Sequence, residues 1–201
     1  MGWLQKRQKR IIEVLMGKIT VGIVAMLLIC TTCYCLAIWE PLKLTLKSDK
    51  GAYRVGDEIE FILNFQNTSK IDVCTYINTH YPAHSFNITN EAGTKQLAET
   101  LIKYDTVWAK ENYKLIKAGE NFKWIVKARV LKDKGLYLDF KDSSIRLVGP
   151  GEFKAAFRYK GRDGLTTDEE GRQIHISEKF KLQNAFIGDL ISNTISIKII
   201  D

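Results

Sequence analysis

The chain has 201 residues, of which 30 are Lys or Arg and 23 are Asp or Glu, giving a formal net charge of +7 and a pI near 9.1. A hydrophobic fraction of 45% is too high for a disordered chain, and four cysteines are too few for a disulfide-stabilised scaffold. The length suffices for one domain and a short appendage. A net basic charge indicates nucleic-acid binding only when the basic residues lie in the folded part.

Most of the excess positive charge lies at the N-terminus. Residues 1–18 contain one acidic residue and five basic ones: Lys6, Arg7, Lys9, Arg10 and Lys18. Residues 19–39 carry no charge, and residues 40–201 carry 25 basic and 22 acidic side chains. The remainder of the chain is therefore only mildly basic, and we do not expect nucleic acid as a partner.

The uncharged run is 21 residues long and is bounded by Ile19 and Trp39. As a helix with a rise of ~1.5 Å per residue it would extend roughly 32 Å, enough to cross a ~30 Å hydrocarbon layer. A cleavable signal peptide is the alternative, but its apolar region is usually about 7–15 residues long and precedes a small-residue cleavage site. This run ends instead at Trp39, Glu40 and Pro41. We therefore predict an uncleaved signal anchor that forms a single-pass transmembrane helix in the cell membrane.

The basic flank determines the predicted orientation. Five Lys and Arg residues within 18 positions of the run place the N-terminus in the cytoplasm. Residues 40–201 are then periplasmic or extracellular. Cys74 is the only cysteine in this part, which excludes a disulfide within it. We predict that Cys74 is a half-buried free thiol in a strand. The other three cysteines lie in the apolar run and are predicted to be apolar side chains rather than metal ligands or lipidation sites.

From residue 42 onward the sequence shows recurrent period-two alternation of apolar and polar residues, which is typical of half-buried strands. The alternating runs cover residues 42–46, 58–65, 86–88, 122–130, 136–140, 145–147, 153–159 and 195–199. Turn signals separate them at 49–51, 90–93, 117–120, 149–151 and 161–164. Helical spacing over 95–109 predicts one short helix, and the polar stretch 161–173 predicts an exposed hairpin tip. We predict a single all-β domain over 40–201, an Ig-like antiparallel β-sandwich.

Several segments carry a family resemblance. They are YRVGDEIEFILNFQN at 53–67, IKAGE at 116–120, GPGEFKA at 149–155 and GDLISN at 188–193. Their order resembles that of bacterial exported Ig-like domains, and over roughly residues 55–160 that of the BsuPI proteinase-inhibitor domain family. The resemblance implies an Ig-like sandwich and an alternative function, inhibition of a proteinase through a rigid loop at 78–84 or 161–173. It assigns no functional residue.

Catalytic and phosphate-binding motifs are absent: the sequence lacks G-x-S-x-G, H-E-x-x-H and G-x-x-x-x-G-K-[ST]. We therefore predict no catalytic residue and no cofactor. His80 and His84 are weak metal candidates that would need a third ligand such as Asp72 or His175, and ordinary loop histidines are the favoured interpretation. Four acidic residues lack the spacing of a calcium loop and are predicted to be solvated: Asp163, Asp168, Glu169 and Glu170.

These observations favour a membrane-anchored extracytoplasmic binding or interaction module that is not an enzyme. Only a few residues separate Trp39 from the first predicted strand, and this short tether favours another envelope protein as partner, in addition to the bilayer. The sequence identifies no small-molecule substrate. An envelope hydrolase of unknown class remains a second alternative, and it would require a deep pocket with converging His or acidic side chains.

Overall fold

The computed structural model describes residues 41–77, 82–100, 110–140 and 142–201. These residues form one four-residue helix, α1 (Ile176–Lys179), two 3-10 turns (Pro82–Ser85 and Lys110–Asn112) and fifteen strands. The strands are β1 (Leu42–Ser48), β2 (Ala52–Arg54), β3 (Glu58–Asn67), β4 (Val73–Tyr76), β5 (Phe86–Asn90), β6 (Leu97–Thr100), β7 (Tyr113–Ile116), β8 (Asn121–Lys132), β9 (Leu136–Phe140), β10 (Ser143–Leu147), β11 (Gly151–Gly161), β12 (Leu165–Thr167), β13 (Gln173–His175), β14 (Gly188–Ile191) and β15 (Ile195–Ile200).

The prediction of an all-β fold is confirmed for this part of the chain. None of its helices is long and apolar enough to cross a membrane. The predicted anchor, residues 19–39, lies outside the described residues.

Two larger sheets organise the domain. One has six strands in the order β1-β3-β8-β9-β10-β6, and every pairing in it is antiparallel. The other has the order β14-β11-β15-β2, with β5 also paired to β11, and only its β15–β2 pairing is parallel. Two small two-stranded sheets are formed by β4 with β7 and by β12 with β13. β1 and β14 are therefore edge strands of the two larger sheets.

The two larger sheets share one hydrophobic core. Phe86 of β5 packs against Phe61 of β3 and Phe140 of β9, with ring centroids 4.6 and 5.3 Å away. Trp124 of β8 meets Phe157 of β11 edge to face at 5.7 Å. The alternating residues of these strands supply the core because successive strand side chains point to opposite faces. Aromatic contacts of this kind contribute about 0.5–1.5 kcal/mol beyond the burial of apolar area.

The eight alternating runs all lie within strands, but one local prediction was wrong. Residues 97–100, which lie within the expected 95–109 helix, form strand β6 instead, and this strand pairs with β10. Ala98 packs against the core while Leu97 is 71% exposed. The residues here therefore alternate between the two faces of a strand and do not follow the helical spacing on which the prediction was based. Residues 101–109 lie outside the described part. The structure also has strand β14 at 188–191, where the sequence indicated only the lead-in to the last strand.

The strands define two ends of the domain. We call the end at which β1 begins the proximal end and the opposite one the distal end. At the proximal end Leu42 pairs with Asn67, and Gln66 pairs with Asn121 at the start of β8. Strand β8 then runs twelve residues to Lys132 at the opposite, distal end. The turns that join β8 to β9 and β10 to β11 also lie at the distal end, because these strands are antiparallel neighbours.

Candidate functional site

The residues predicted to form the anchor and its orientation signal lie outside the described part of the chain. They are Ile19 and Trp39 at the limits of the run, and Lys6, Arg7, Lys9, Arg10 and Lys18 before it. His80 lies outside it as well.

The metal candidates that are described do not form a common site. His84 is exposed in the 3-10 turn Pro82–Ser85. Asp72 accepts a 3.0 Å hydrogen bond from the Ala118 backbone N–H, and His175 is exposed at the end of β13. Across residues 41–77, 82–100, 110–140 and 142–201, no three His, Cys, Asp or Glu side chains are placed to hold a metal ion.

Ser177, Asp163 and His175 lie together but in an order that does not suit nucleophilic catalysis. The Ser177 hydroxyl donates directly to Oδ2 of Asp163, and His175 Nδ1 is 3.6 Å from the same oxygen. A serine nucleophile needs the imidazole between serine and carboxylate as its general base. Asp163 also accepts a 2.9 Å hydrogen bond from the Ser177 backbone N–H. The group therefore fixes the start of α1 against the preceding loop.

Cys74 is more buried than predicted. It is a free thiol with 5% of its surface exposed, because β4 pairs with β7 on one side while residues 184–186 bond its backbone on the other. Burial raises the pKa of the Cys74 thiol above its ordinary value. A thiol that is held protonated is a poor nucleophile at neutral pH.

Polar groups at the proximal end bond within the domain. Tyr159 is buried, its hydroxyl donates to the Tyr76 carbonyl at 2.8 Å, and it shares a 2.5 Å hydrogen bond with Thr75. Burial raises the pKa of Tyr159 to about 12. Asn67 is fully buried and donates to the carbonyls of Ile71 and Ile116 at 2.8 and 2.9 Å. Asn67 thereby holds the end of β3 to β7, and Tyr159 holds β11 to β4.

The predicted hairpin within 161–173 is confirmed. Strands β12 and β13 pair around a tip at 168–172. Asp168 fixes this tip by accepting hydrogen bonds from the backbone N–H groups of Glu170 and Arg172 and from the Arg172 side chain. The bonds from Arg172 hold the pKa of the Asp168 carboxyl below its ordinary value. Glu169 and Glu170 are solvent-exposed, as predicted. The prediction was wrong for Asp163 and Asp168, whose side chains are only 9% and 15% exposed because they accept hydrogen bonds within the domain.

At the distal end, three turns enclose a cleft of about 830 Å³, which we call the distal cleft. It is lined by residues of the segments 94–97, 132–136 and 146–150 and by Asp201. Its volume lies within the ~300–1,000 Å³ range of ligand sites in proteins.

The Gln96 side chain connects two of the turns that line the distal cleft. This buried side chain accepts a 2.9 Å hydrogen bond from the Val148 backbone N–H and donates to the Thr94 carbonyl at 2.8 Å. It thereby ties the turn before β6 to the turn after β10. Gly149 has a φ of 155°, within the region that favours glycine, and this allows the second turn to close.

The distal cleft is basic. Four cations line it, and the carboxylate of Asp201 pairs with Lys132 at 2.7 Å. In the described ranges no carboxylate forms an ion pair with the other three: Lys95, Lys134 and Arg146. The cleft therefore presents unneutralised positive charge, which attracts acidic ligands and raises their association rate.

Two apolar side chains stand among these cations. Leu97 is 71% exposed and Val148 is 73% exposed, although both adjoin well-packed strands. They are near one another because Leu97 pairs with Arg146 in the sheet and Val148 bonds to Gln96. Apolar side chains that are exposed next to one another and rimmed by polar residues mark protein interaction sites.

Sequence reasoning did not find the distal cleft, because its residues come from three separate turns. The available signal was local: each turn sets a lysine or arginine within three residues of Gly93, Gly135 or Gly149. Only the sheet order shows that these turns meet at one end.

Comparison with known proteins adds no relative. No family model matches the chain, and no curated protein is significantly similar to it.

Proposed function

We propose that this chain is a membrane-anchored, extracytoplasmic Ig-like β-sandwich that binds an acidic segment of another envelope protein in the distal cleft. The observation that carries the proposal is the combination, in one cleft, of exposed Leu97 and Val148 with three cations that form no ion pair with a described carboxylate. Two largely antiparallel sheets around a shared core support the Ig-like assignment.

The uncharged run and its basic flank support the anchor. Strand β1 begins at Leu42, three residues after Trp39, so a helix ending at Trp39 would tether the domain with little reach. The distal cleft lies at the opposite end of the strands from Leu42.

The test is a crosslinking pull-down of the tagged full-length protein from its own membranes. We compare the wild type with the double variant Lys134→Glu/Arg146→Glu, and with a matched variant, Lys70→Glu/Lys123→Glu, that reverses two exposed lysines elsewhere. We expect one envelope protein to be enriched with the wild type and the matched variant and lost with the cleft variant. Raising the salt concentration should weaken the capture because exposed charges are screened.

Equal capture by all three proteins would contradict recognition at the distal cleft. The anchor is tested separately by N-terminal sequencing of the membrane fraction. A mature chain that starts after residue 35 would contradict an uncleaved anchor.

The fixed hairpin tip supports a second candidate, the proteinase-inhibitor function that the BsuPI resemblance implies. Asp168 holds the exposed 168–172 tip through three hydrogen bonds, and a rigid loop loses little conformational entropy on binding. Titration of serine, cysteine and metalloproteinases with the full-length protein tests it. Stoichiometric inhibition that is lost in Asp168→Ala would support this candidate, and the absence of inhibition would remove it.

A further inference from the structure

A row of four side chains crosses the outer face of the six-stranded sheet beside the distal cleft, and we call it the cross-strand row. Arg146 of β10 pairs with Leu97 of β6 on one side and with Tyr137 of β9 on the other. Tyr137 in turn pairs with Leu131 of β8. Directly opposite residues of antiparallel strands share one face of the sheet. The order along the row is therefore apolar, cationic, aromatic and apolar.

The side chains of the cross-strand row lie outside the core. Leu97 is 71% exposed, Leu131 is 37% exposed, Arg146 is exposed and Tyr137 is partly exposed. Buried neighbours on the same strands point the opposite way, into the core: Val130, Leu136, Leu138, Ile145 and Leu147. Tyrosine and arginine are enriched at protein interfaces relative to the rest of the surface. The row thus has the composition of a polypeptide-binding surface.

The cross-strand row is continuous with the distal cleft. Leu97 and Arg146 belong to both. The Tyr137 ring lies against Gly135, which also lines the cleft, and a Cβ atom at this glycine would be only 3.1 Å from the ring. The absence of a side chain at Gly135 therefore lets the ring extend the apolar part of the cleft onto the face of the sheet.

The charges on the two sides of the cross-strand row have opposite signs. On the distal side are Lys95 and Lys134 of the cleft. On the proximal side are Glu99 and Asp139, each two residues further along β6 or β9. In the described ranges Arg146 forms no ion pair with a carboxylate. An acidic ligand is therefore attracted to the cleft side of the row and repelled from the other side.

The length of the row determines the spacing of a ligand that lies along it. Neighbouring strands are ~4.8 Å apart, so the distance across four strands from Leu97 to Leu131 is roughly 14 Å. In an extended chain the side chains on one face recur every ~6.7 Å, and five residues place three of them over about 13 Å. An α-helix with its side chains is about 10–12 Å wide and would also cover Glu99 and Asp139. The row is therefore suited to an extended segment.

We propose that the acidic segment recognised at the distal cleft is an extended polypeptide of the form apolar-x-acidic-x-apolar that lies along the cross-strand row. Its first apolar side chain packs on Leu97, and its carboxylate pairs with Arg146. Its second apolar side chain packs on Tyr137 and Leu131. The intervening side chains point to solvent, and flanking acidic residues face the cations of the cleft. This inference rests on the proposed function, because it specifies the partner of the same site.

The probe is a fluorescent peptide, Ser-Asp-Leu-Thr-Glu-Thr-Leu-Asp-Ser, and the protein is the full-length chain in detergent micelles. We expect saturable binding by fluorescence polarisation below about 1 mM peptide. Replacing the second Leu of the peptide by Ser, or its central Glu by Gln, should weaken binding about tenfold, because each change removes one contact. The peptide Ser-Asp-Thr-Leu-Leu-Glu-Thr-Asp-Ser has the same composition without the spacing and should bind as weakly.

Leu131→Ser tests the protein side of the second apolar contact and should weaken binding about fivefold. Ile125→Ser is the matched control and should leave binding unchanged. Ile125 is 41% exposed on the same face of β8 but lies about 20 Å away along the strand. Tyr137→Ala should weaken binding about tenfold, whereas Tyr137→Phe, which keeps the ring, should weaken it less than about threefold.

Absence of binding by the first peptide would overturn the proposal. Equal binding by the peptide with adjacent leucines would also overturn it, since the row would then not recognise the spacing. These variants are also compared in the membrane pull-down, which tests the proposed function by itself. Capture that is lost with Lys134→Glu/Arg146→Glu but complete with Leu131→Ser and Tyr137→Ala would support the cleft and contradict the row.

Discussion

The proximal and distal ends of the domain use their polar side chains in opposite ways. At the proximal end Asn67 and Tyr159 are buried and bond to backbone carbonyls of neighbouring strands. At the distal end Lys95, Lys134 and Arg146 are exposed and form no ion pair with the described carboxylates. Polar groups that bond within the fold contribute to its stability, whereas unpaired exposed cations contribute little and are available to a ligand. Stability and binding should therefore be separable by mutation.

Phe86→Ala should give the largest loss of stability, because this ring links the two sheets on which both ends depend. It contacts Phe61, Phe140 and Phe157 with centroid distances of 4.6–5.3 Å. We expect the free energy of unfolding to fall by about 3–5 kcal/mol. Denaturant unfolding measures the change. A loss below about 1 kcal/mol would mean that the two sheets do not share the core around this ring.

Asn67→Ala tests the proximal end directly. It removes the donors to the buried Ile71 and Ile116 carbonyls and should cost about 2–3 kcal/mol. Asn64→Ala is the matched control on the same strand, because the Asn64 side chain makes only a long 3.4 Å bond to Asn121. The two variants are compared by denaturant unfolding. Equal losses would show that the buried amide has no special role.

Tyr159→Phe should reduce stability by about 1 kcal/mol at neutral pH and alter its dependence on alkaline pH. Burial raises the pKa of Tyr159 in the folded state from its ordinary value of 10.0 to about 12. The stabilisation by the protonated Tyr159 hydroxyl is therefore fully present below about pH 10 and is lost as the pH rises towards 12. The wild type should lose on the order of 2 kcal/mol more than the variant over this range. Parallel pH curves for the two proteins would contradict the prediction.

Lys134→Glu/Arg146→Glu should have the smallest effect on stability. Both side chains are exposed and unpaired within the described residues, so we expect the free energy of unfolding to change by less than about 0.5 kcal/mol. Thermal or denaturant unfolding checks this. A loss of more than about 2 kcal/mol would mean that these cations are part of the fold and that the two ends do not differ as described.

The same contrast explains what could be predicted from the sequence. The core strands were predictable because their periodicity is local: β3 alternates buried and less buried residues from Ile59 onward. The helix predicted over 95–109 was wrong at Leu97, because the exposure and pairing of Leu97 depend on β10, which lies about 50 residues further along the chain. The distal cleft depends on which turns meet in space. No single segment such as 146–150 carries that information.

The central claim is that the distal cleft, and not the proximal end, is the principal binding surface. A photocrosslinking amino acid placed in the full-length protein at Val148, which is 73% exposed, and at Leu115 on β7, which is 60% exposed, tests it in native membranes. The proposal predicts one protein adduct from position 148, lost when Lys134→Glu/Arg146→Glu is added, and none from position 115. An adduct from position 115 without one from position 148 would contradict it.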